Sequence, residues 1–116
     1  MFPKRRKKPR MGLRESARIK CPAHLRYVRG FECVAGPLGK YGCQGRIEAH
    51  HVRTRGAGGG DEQVVPLCSL HHAQLDSPGW SSKKFEAVYA IDMKAIAERL
   101  WFRSPHRRKH EKRRAA

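Results

Sequence analysis

Four cysteines and seven histidines stand in the chain, and the informative ones fall into spaced sets. Cys33, Cys43, Cys68 and His71 supply three thiolates and one imidazole, the donor set of a closed tetrahedral zinc site with no open position for substrate. Cys68-x-x-His71 has zinc-ligand spacing. The nine residues between Cys33 and Cys43 exceed the roughly two to four of a common knuckle, so the intervening segment has to fold back. Cys21 is a rival source of a ligand, but the quartet is complete without it, and a structural thiol is the simpler reading.

Histidines also come as two adjacent pairs, His50 with His51 and His71 with His72. On a helix at ~100° per residue, positions 68 and 71 lie about 60° apart and positions 72 and 76 about 40° apart. One helix would then present Cys68 and His71 in one direction and His72 and Asp76 in another. On a strand, neighbouring side chains point to opposite sides, so His50 and His51 cannot share an ion. A second site follows, in which His50, His72 and Asp76 hold an open divalent ion and His51 stays unligated. An imidazole ordinarily titrates near ~6.5, so a free one beside a metal can act as a general base at neutral pH.

These roles require particular elements. Residues 22–29 read as a short helix closed by Gly30, with Leu25 and Val28 on its apolar side. Residues 33–43 form a loop rich in turn residues. Strands are expected over 44–52 and 63–67, the second at an edge because of Pro66, with a glycine-rich connection at 56–60. Ser69 is a candidate N-cap for the helix carrying His71 and His72, which stops at 76–79. Two further helices follow, one with Phe85, Val88 and Tyr89 on a common face. The other is capped by Asp92 and places Met93, Ile96, Ala97, Leu100 and Trp101 on a core-facing stripe. The expected class is α+β.

The 116 residues carry a formal charge of +16, which is distributed unevenly. Residues 1–20 hold nine basic residues and one acid, residues 103–116 hold seven and one, and the body 21–102 retains only +2. The expected organisation is a basic, disordered N-terminal arm (1–20), one small domain (21–102) and a basic, disordered tail (103–116). Such arms attract polyanions through counterion release, and Lys4, Arg5, Arg6, Lys7 and Lys8 are the densest group. A body this small buries too little apolar surface to be safe alone, so a metal staple is expected. No apolar run approaches a membrane span, and residues 1–10 offer no signal-peptide core. A cytoplasmic protein with reduced cysteines is therefore expected, which favours zinc over disulfides.

The segments Ile47-Glu48-Ala49-His50-His51-Val52-Arg53, Gly58-Gly59-Gly60-Asp61 and Val65-Pro66-Leu67-Cys68-Ser69-Leu70-His71-His72 together resemble an HNH endonuclease. More narrowly, they look like the phage and prophage proteins related to the recombination enhancement function nucleases. The resemblance implies a ββα-metal core clasping a catalytic Mg²⁺ or Mn²⁺ beside a structural zinc. It implies that His51 is the base, that His50 and His72 are metal ligands, and that Asp76 stands where relatives often carry a further histidine. Its middle letter is missing, because the chain contains no asparagine. Gln63 is the nearest positional counterpart and Asp61 the alternative, either of which could fix the base by a hydrogen bond.

The expected reaction is hydrolysis of a DNA phosphodiester, with Arg53 and Arg55 on flanking phosphates, and the resemblance implies 5′-phosphate and 3′-hydroxyl products. By analogy with phage relatives, a packaging or recombination machine is a possible partner. The competing expectation is a zinc-stabilised, non-catalytic nucleic-acid-binding protein. RNA binding lacks support in the sequence, since the body shows no aromatic platform motif.

Overall fold

The computed structural model describes residues 18–36, 42–53 and 58–110. Along the chain these form α1 (Pro22–Val28), β1 (Ile47–His51), β2 (Val64–Cys68), α2 (Ser69–Leu75), α3 (Ser82–Tyr89) and α4 (Met93–Arg103). Lys4, Arg5, Arg6, Lys7, Lys8 and Arg55 lie outside the described residues.

β1 and β2 pair antiparallel, with His50 opposite Val65 and His51 opposite Val64. β2 is buried along its whole length because both of its faces are covered. Val65 and Leu67 join Leu75, Phe85, Tyr89, Met93 and Ala97 in the larger core. Val64, on the opposite face by strand alternation, packs with Val28 of α1 and Leu100 of α4. Pro66 tolerates this position: its carbonyl accepts a hydrogen bond from the Val34 N–H at 3.0 Å, and it has no N–H to satisfy.

The first strand is shorter than the expected 44–52, because its entry segment serves α2. The Arg46 and Gln44 carbonyls accept the Ser69 and Leu70 N–H groups at 3.0 and 3.1 Å, two of the donors that the start of a helix leaves orphaned. Gly45 makes this approach possible. Its φ is +84°, and a Cβ there would stand 2.6 Å from Ser69 Cβ, so only glycine fits. Ser69 is not the N-cap. Cys68 takes that position, with its Sγ accepting from the His71 N–H at 3.4 Å.

α4 takes the cap expected at Asp92, and α3 is capped by Ser81, where no cap was expected. Ser81 Oγ accepts from the Lys84 N–H and Asp92 Oδ1 from the Ala95 N–H, both at 3.1 Å. Met93, Ala97 and Leu100 are buried, while Ile96 and Trp101 are half-buried. The tail expected from residue 103 differs. Ser104 is buried and its hydroxyl bonds His24 Nδ1 at 3.0 Å, and residues 104–110 pack back on the body through rings that the tail composition did not announce. Trp101 meets His110 at 5.9 Å, and Tyr27 meets His106 at 6.4 Å. Among the described residues no helix is long and apolar enough to cross a membrane.

Candidate metal centre and facing histidine pair

At the junction of β2, α2 and the loop after α1, Cys33, Cys43, Cys68 and His71 bring one ligand atom each within 4.8 Å of one another. His71 Nδ1 is the shared neighbour, at 3.5 Å from Cys33 Sγ, 3.7 Å from Cys43 Sγ and 3.1 Å from Cys68 Sγ. A tetrahedral ion with bonds of about 2.3 Å to sulfur and about 2.05 Å to nitrogen would separate sulfur from nitrogen by about 3.6 Å. The group therefore could bind a metal such as zinc with little movement. All four cysteines are free thiols, and Cys21, though buried, stands outside the cluster.

The electrostatics point the same way. Burial opposes ionisation of Cys68, yet the backbone N–H groups of His71 and Gln44 aimed at its sulfur prevail and bring the thiol down to about 6. Desolvation, together with the neighbouring Cys68 and Cys33 sulfurs, pushes Cys43 up to about 12. Three sulfurs this close cannot all carry charge unaided, and a dication is what permits it. His71 Nε2 is buried with no hydrogen-bond partner among the described residues, and the ring meets Tyr89 edge to face at 5.2 Å. The imidazole is thus held with its Nδ1 toward the sulfurs.

The second histidine of α2 points elsewhere. His72 Nε2 faces His50 Nδ1 at 3.3 Å, with the two rings nearly perpendicular at 73°. That separation suits two nitrogen ligands of one ion at about 2.1 Å each. Burial and the facing His72 ring pull His50 down to about 4, so it is neutral at pH 7 and offers a lone pair. Its Nε2 is buried without a hydrogen-bond partner among the described residues. Asp76 caps the C-terminus of α2 and is exposed. Its charge acts on His50, but among the described residues it does not join a ligand cluster as tight as the cysteine one.

Glu48 is the residue that sequence reasoning missed. Its Oε1 accepts from His72 Nδ1 at 2.6 Å, and its Oε2 accepts from Ser69 Oγ at 3.1 Å. The bond from His72 is the chief reason this carboxyl lies below its ordinary range. It fixes the His72 tautomer, leaving Nε2 as the bare nitrogen that faces His50. The available signal was strand periodicity, because residues 48 and 50 share a face.

His51 lies on the other side of β1 and is separate from this pair. Its Nε2 stands 2.9 Å from Asp61 Oδ1, with side-chain exposures of 19% and 6%. Asp61 is itself anchored. Its Oδ2 accepts from the Cys21 N–H at 2.8 Å, and its own N–H bonds the Ile19 carbonyl at 2.9 Å. Between the two expected partners of His51, it is Asp61 that reaches the ring, whereas Gln63 Nε2 bonds Glu62 Oε2 at 3.3 Å. A carboxylate on Nε2 leaves Nδ1 free to take a proton. Arg53, two residues on, is exposed and lines a cleft with Gln63, Lys94 and Trp101.

No protein-family model, curated protein or solved structure matches the chain.

Proposed function

We propose that the protein is a metal-dependent endonuclease of the HNH type that hydrolyses DNA phosphodiesters, with His51 as general base and a structural zinc in the Cys33, Cys43, Cys68 and His71 cage. The observation that carries this reading is the division of labour along β1. His50 turns toward His72, while the adjacent His51 turns away and is braced by the buried carboxylate of Asp61. Pure binding has no use for a base held in this way.

In the proposed reaction His51 Nδ1 removes a proton from a water molecule, whose oxygen bonds phosphorus as the bond to the 3′ oxygen breaks. The products are a 5′-phosphate and a 3′-hydroxyl. Asp61 steadies the imidazolium as it forms, just as a carboxylate does for a triad histidine. His50 and His72, with the Asp76 charge acting on His50, would hold a Mg²⁺ or Mn²⁺ ion, which when bound supplies positive charge for the phosphate and the leaving oxygen. Arg53 is placed to take a flanking phosphate.

A second reading has one observation in its favour: Asp76 stands apart from a tight cluster with His50 and His72. On that reading the chain is a zinc-stabilised nucleic-acid-binding protein without catalysis. Supercoiled plasmid incubated with zinc-loaded protein and Mg²⁺ or Mn²⁺ separates the two. The nuclease reading expects nicked circles from the wild type and a loss of about 10²- to 10⁴-fold in rate for His51→Ala, with DNA binding retained. Intact plasmid with the wild type, or undiminished nicking by the purified His51→Ala protein, would overturn it.

A further inference from the structure

The chain folds an aromatic and cationic ridge that no single stretch of sequence displays. Phe31 meets Tyr27 edge to face at 5.1 Å, Tyr27 meets His106 at 6.4 Å, and the next residue, Arg107, lays its guanidinium 4.6 Å over the ring of Phe102. Three separate segments contribute: α1 with the turn after it, the end of α4, and the docked residues 104–110. Phe102 is 69% exposed and Phe31 40%, and they are two of the three large hydrophobic residues left exposed among the described ones. Segments 22–31 and 99–110 together contain seven Lys or Arg and no Asp or Glu. Of these, Arg26, Arg29, Arg103, Arg108 and Lys109 are exposed.

We infer that this ridge binds an unpaired strand of DNA, with bases stacking on Phe102 and Phe31 and phosphates lying on the flanking arginines. An exposed ring beside a guanidinium offers a face to a base and a cation to its phosphate. A duplex hides its base faces and would use the cations alone, leaving the two phenylalanines without a partner. The ridge shares no residue with His51 or with either candidate metal group, and its Arg29 and Phe31 end borders the cysteine cluster, lining one pocket with Cys33, Cys43 and Cys68. The choice of DNA over RNA rests on the nuclease reading above, while the stacking itself does not.

The test is fluorescence anisotropy with the full-length, zinc-loaded protein and no added Mg²⁺ or Mn²⁺. The probes are labelled 20-nucleotide oligo-dT, a duplex of equal length and oligo-U. The wild type is expected to favour oligo-dT over the duplex. Phe102→Ala, at a site too exposed to unfold the domain, is expected to weaken oligo-dT binding about 5- to 20-fold while leaving duplex binding and the salt slope unchanged. Arg103→Ala should weaken both and lower the salt slope by about one. A duplex preference, equal oligo-dT affinity for wild type and Phe102→Ala, or tighter binding of oligo-U would each overturn the proposal. Failure here with plasmid nicking intact removes the ridge and leaves the nuclease. Success here without nicking leaves the ridge on a non-catalytic protein.

Discussion

At the level of single residues, a carboxylate on one ring nitrogen of a histidine decides which nitrogen is left for a ligand or a proton. His72 and His51 each give a ring nitrogen to an acid, Glu48 at 2.6 Å and Asp61 at 2.9 Å, and the other ring nitrogen is thereby assigned its task. The histidines and cysteines were legible in the sequence because ligand spacing leaves a periodic trace, as in Cys68-x-x-His71. Their carboxylate partners were legible only in part: Asp61 was one of two candidates to brace His51, and the structure selects it over Gln63, whereas Glu48 is recognised only once strand pairing has placed it beside His72. Glu48 therefore gives the sharper test of the facing pair. In the proposed site Glu48→Gln retains an acceptor but loses the charge that strengthens His72 as a donor. Mn²⁺ affinity of the zinc-loaded protein, followed by electron paramagnetic resonance, is expected to fall about 10-fold, and Glu48→Ala to cost up to about 100-fold. Any nicking rate should recover at saturating Mn²⁺, since the base is untouched. Unchanged Mn²⁺ affinity in both variants would show that Glu48 plays no part in holding a metal.

Among the elements, those that position the site are held by main-chain contacts that composition does not advertise. The strand expected over 44–52 loses its first residues to α2, whose leading N–H groups take the Gln44 and Arg46 carbonyls. The cap expected at Ser69 moves to Cys68, whose backbone is extended and whose Sγ accepts the His71 N–H, while the Ser69 hydroxyl is turned toward the Arg46 carbonyl and the Glu48 carboxylate. The segment before α1 acts as a clamp on Asp61 through Ile19 and Cys21. Gly60 permits it, since a Cβ there would clash with the Glu62 carboxylate and lie 3.0 Å from the Ile19 nitrogen and 3.1 Å from its oxygen. Gly60→Ala is therefore expected to push Ile19 away, cost about 1–3 kcal/mol of stability by overpacking, and loosen the brace on His51. The checks are urea unfolding and the rate of plasmid nicking at a temperature where the variant is fully folded. A nicking rate equal to wild type in a folded variant would mean that the clamp does not reach the base.

For the molecule as a whole, the central question is what holds together a body whose described residues form a sheet of only two strands. The periodic stripes of α3 and α4 announced a core, and it formed from Phe85, Tyr89, Met93 and Ala97. Yet Cys33 and Cys68 belong to that same core and His71 is buried beside them, so the candidate metal centre is built into the packing, with Cys43 alone exposed at its outer side. A structural zinc contributes about 10–16 kcal/mol in small metal-dependent folds, comparable to or larger than the ~5–15 kcal/mol total stability of a domain. Removing it is therefore expected to unfold the body, not merely soften it. The thiols of the unfolded, metal-free chain titrate near ~8.5 and so carry their protons at neutral pH, and within the folded cage desolvation pushes Cys43 higher still, to about 12. Binding must then expel at least the Cys43 proton. The sign follows: zinc affinity rises as pH rises from 6 to 8, by about tenfold per unit for each proton released. Calorimetric zinc titrations in two buffers of different ionisation enthalpy would count those protons, and near-ultraviolet circular dichroism after chelation would follow the fold. Chelated protein that keeps its tertiary signal and its melting temperature would show that the core stands without the metal, and zinc binding with no proton release would show that Cys43 is not a ligand.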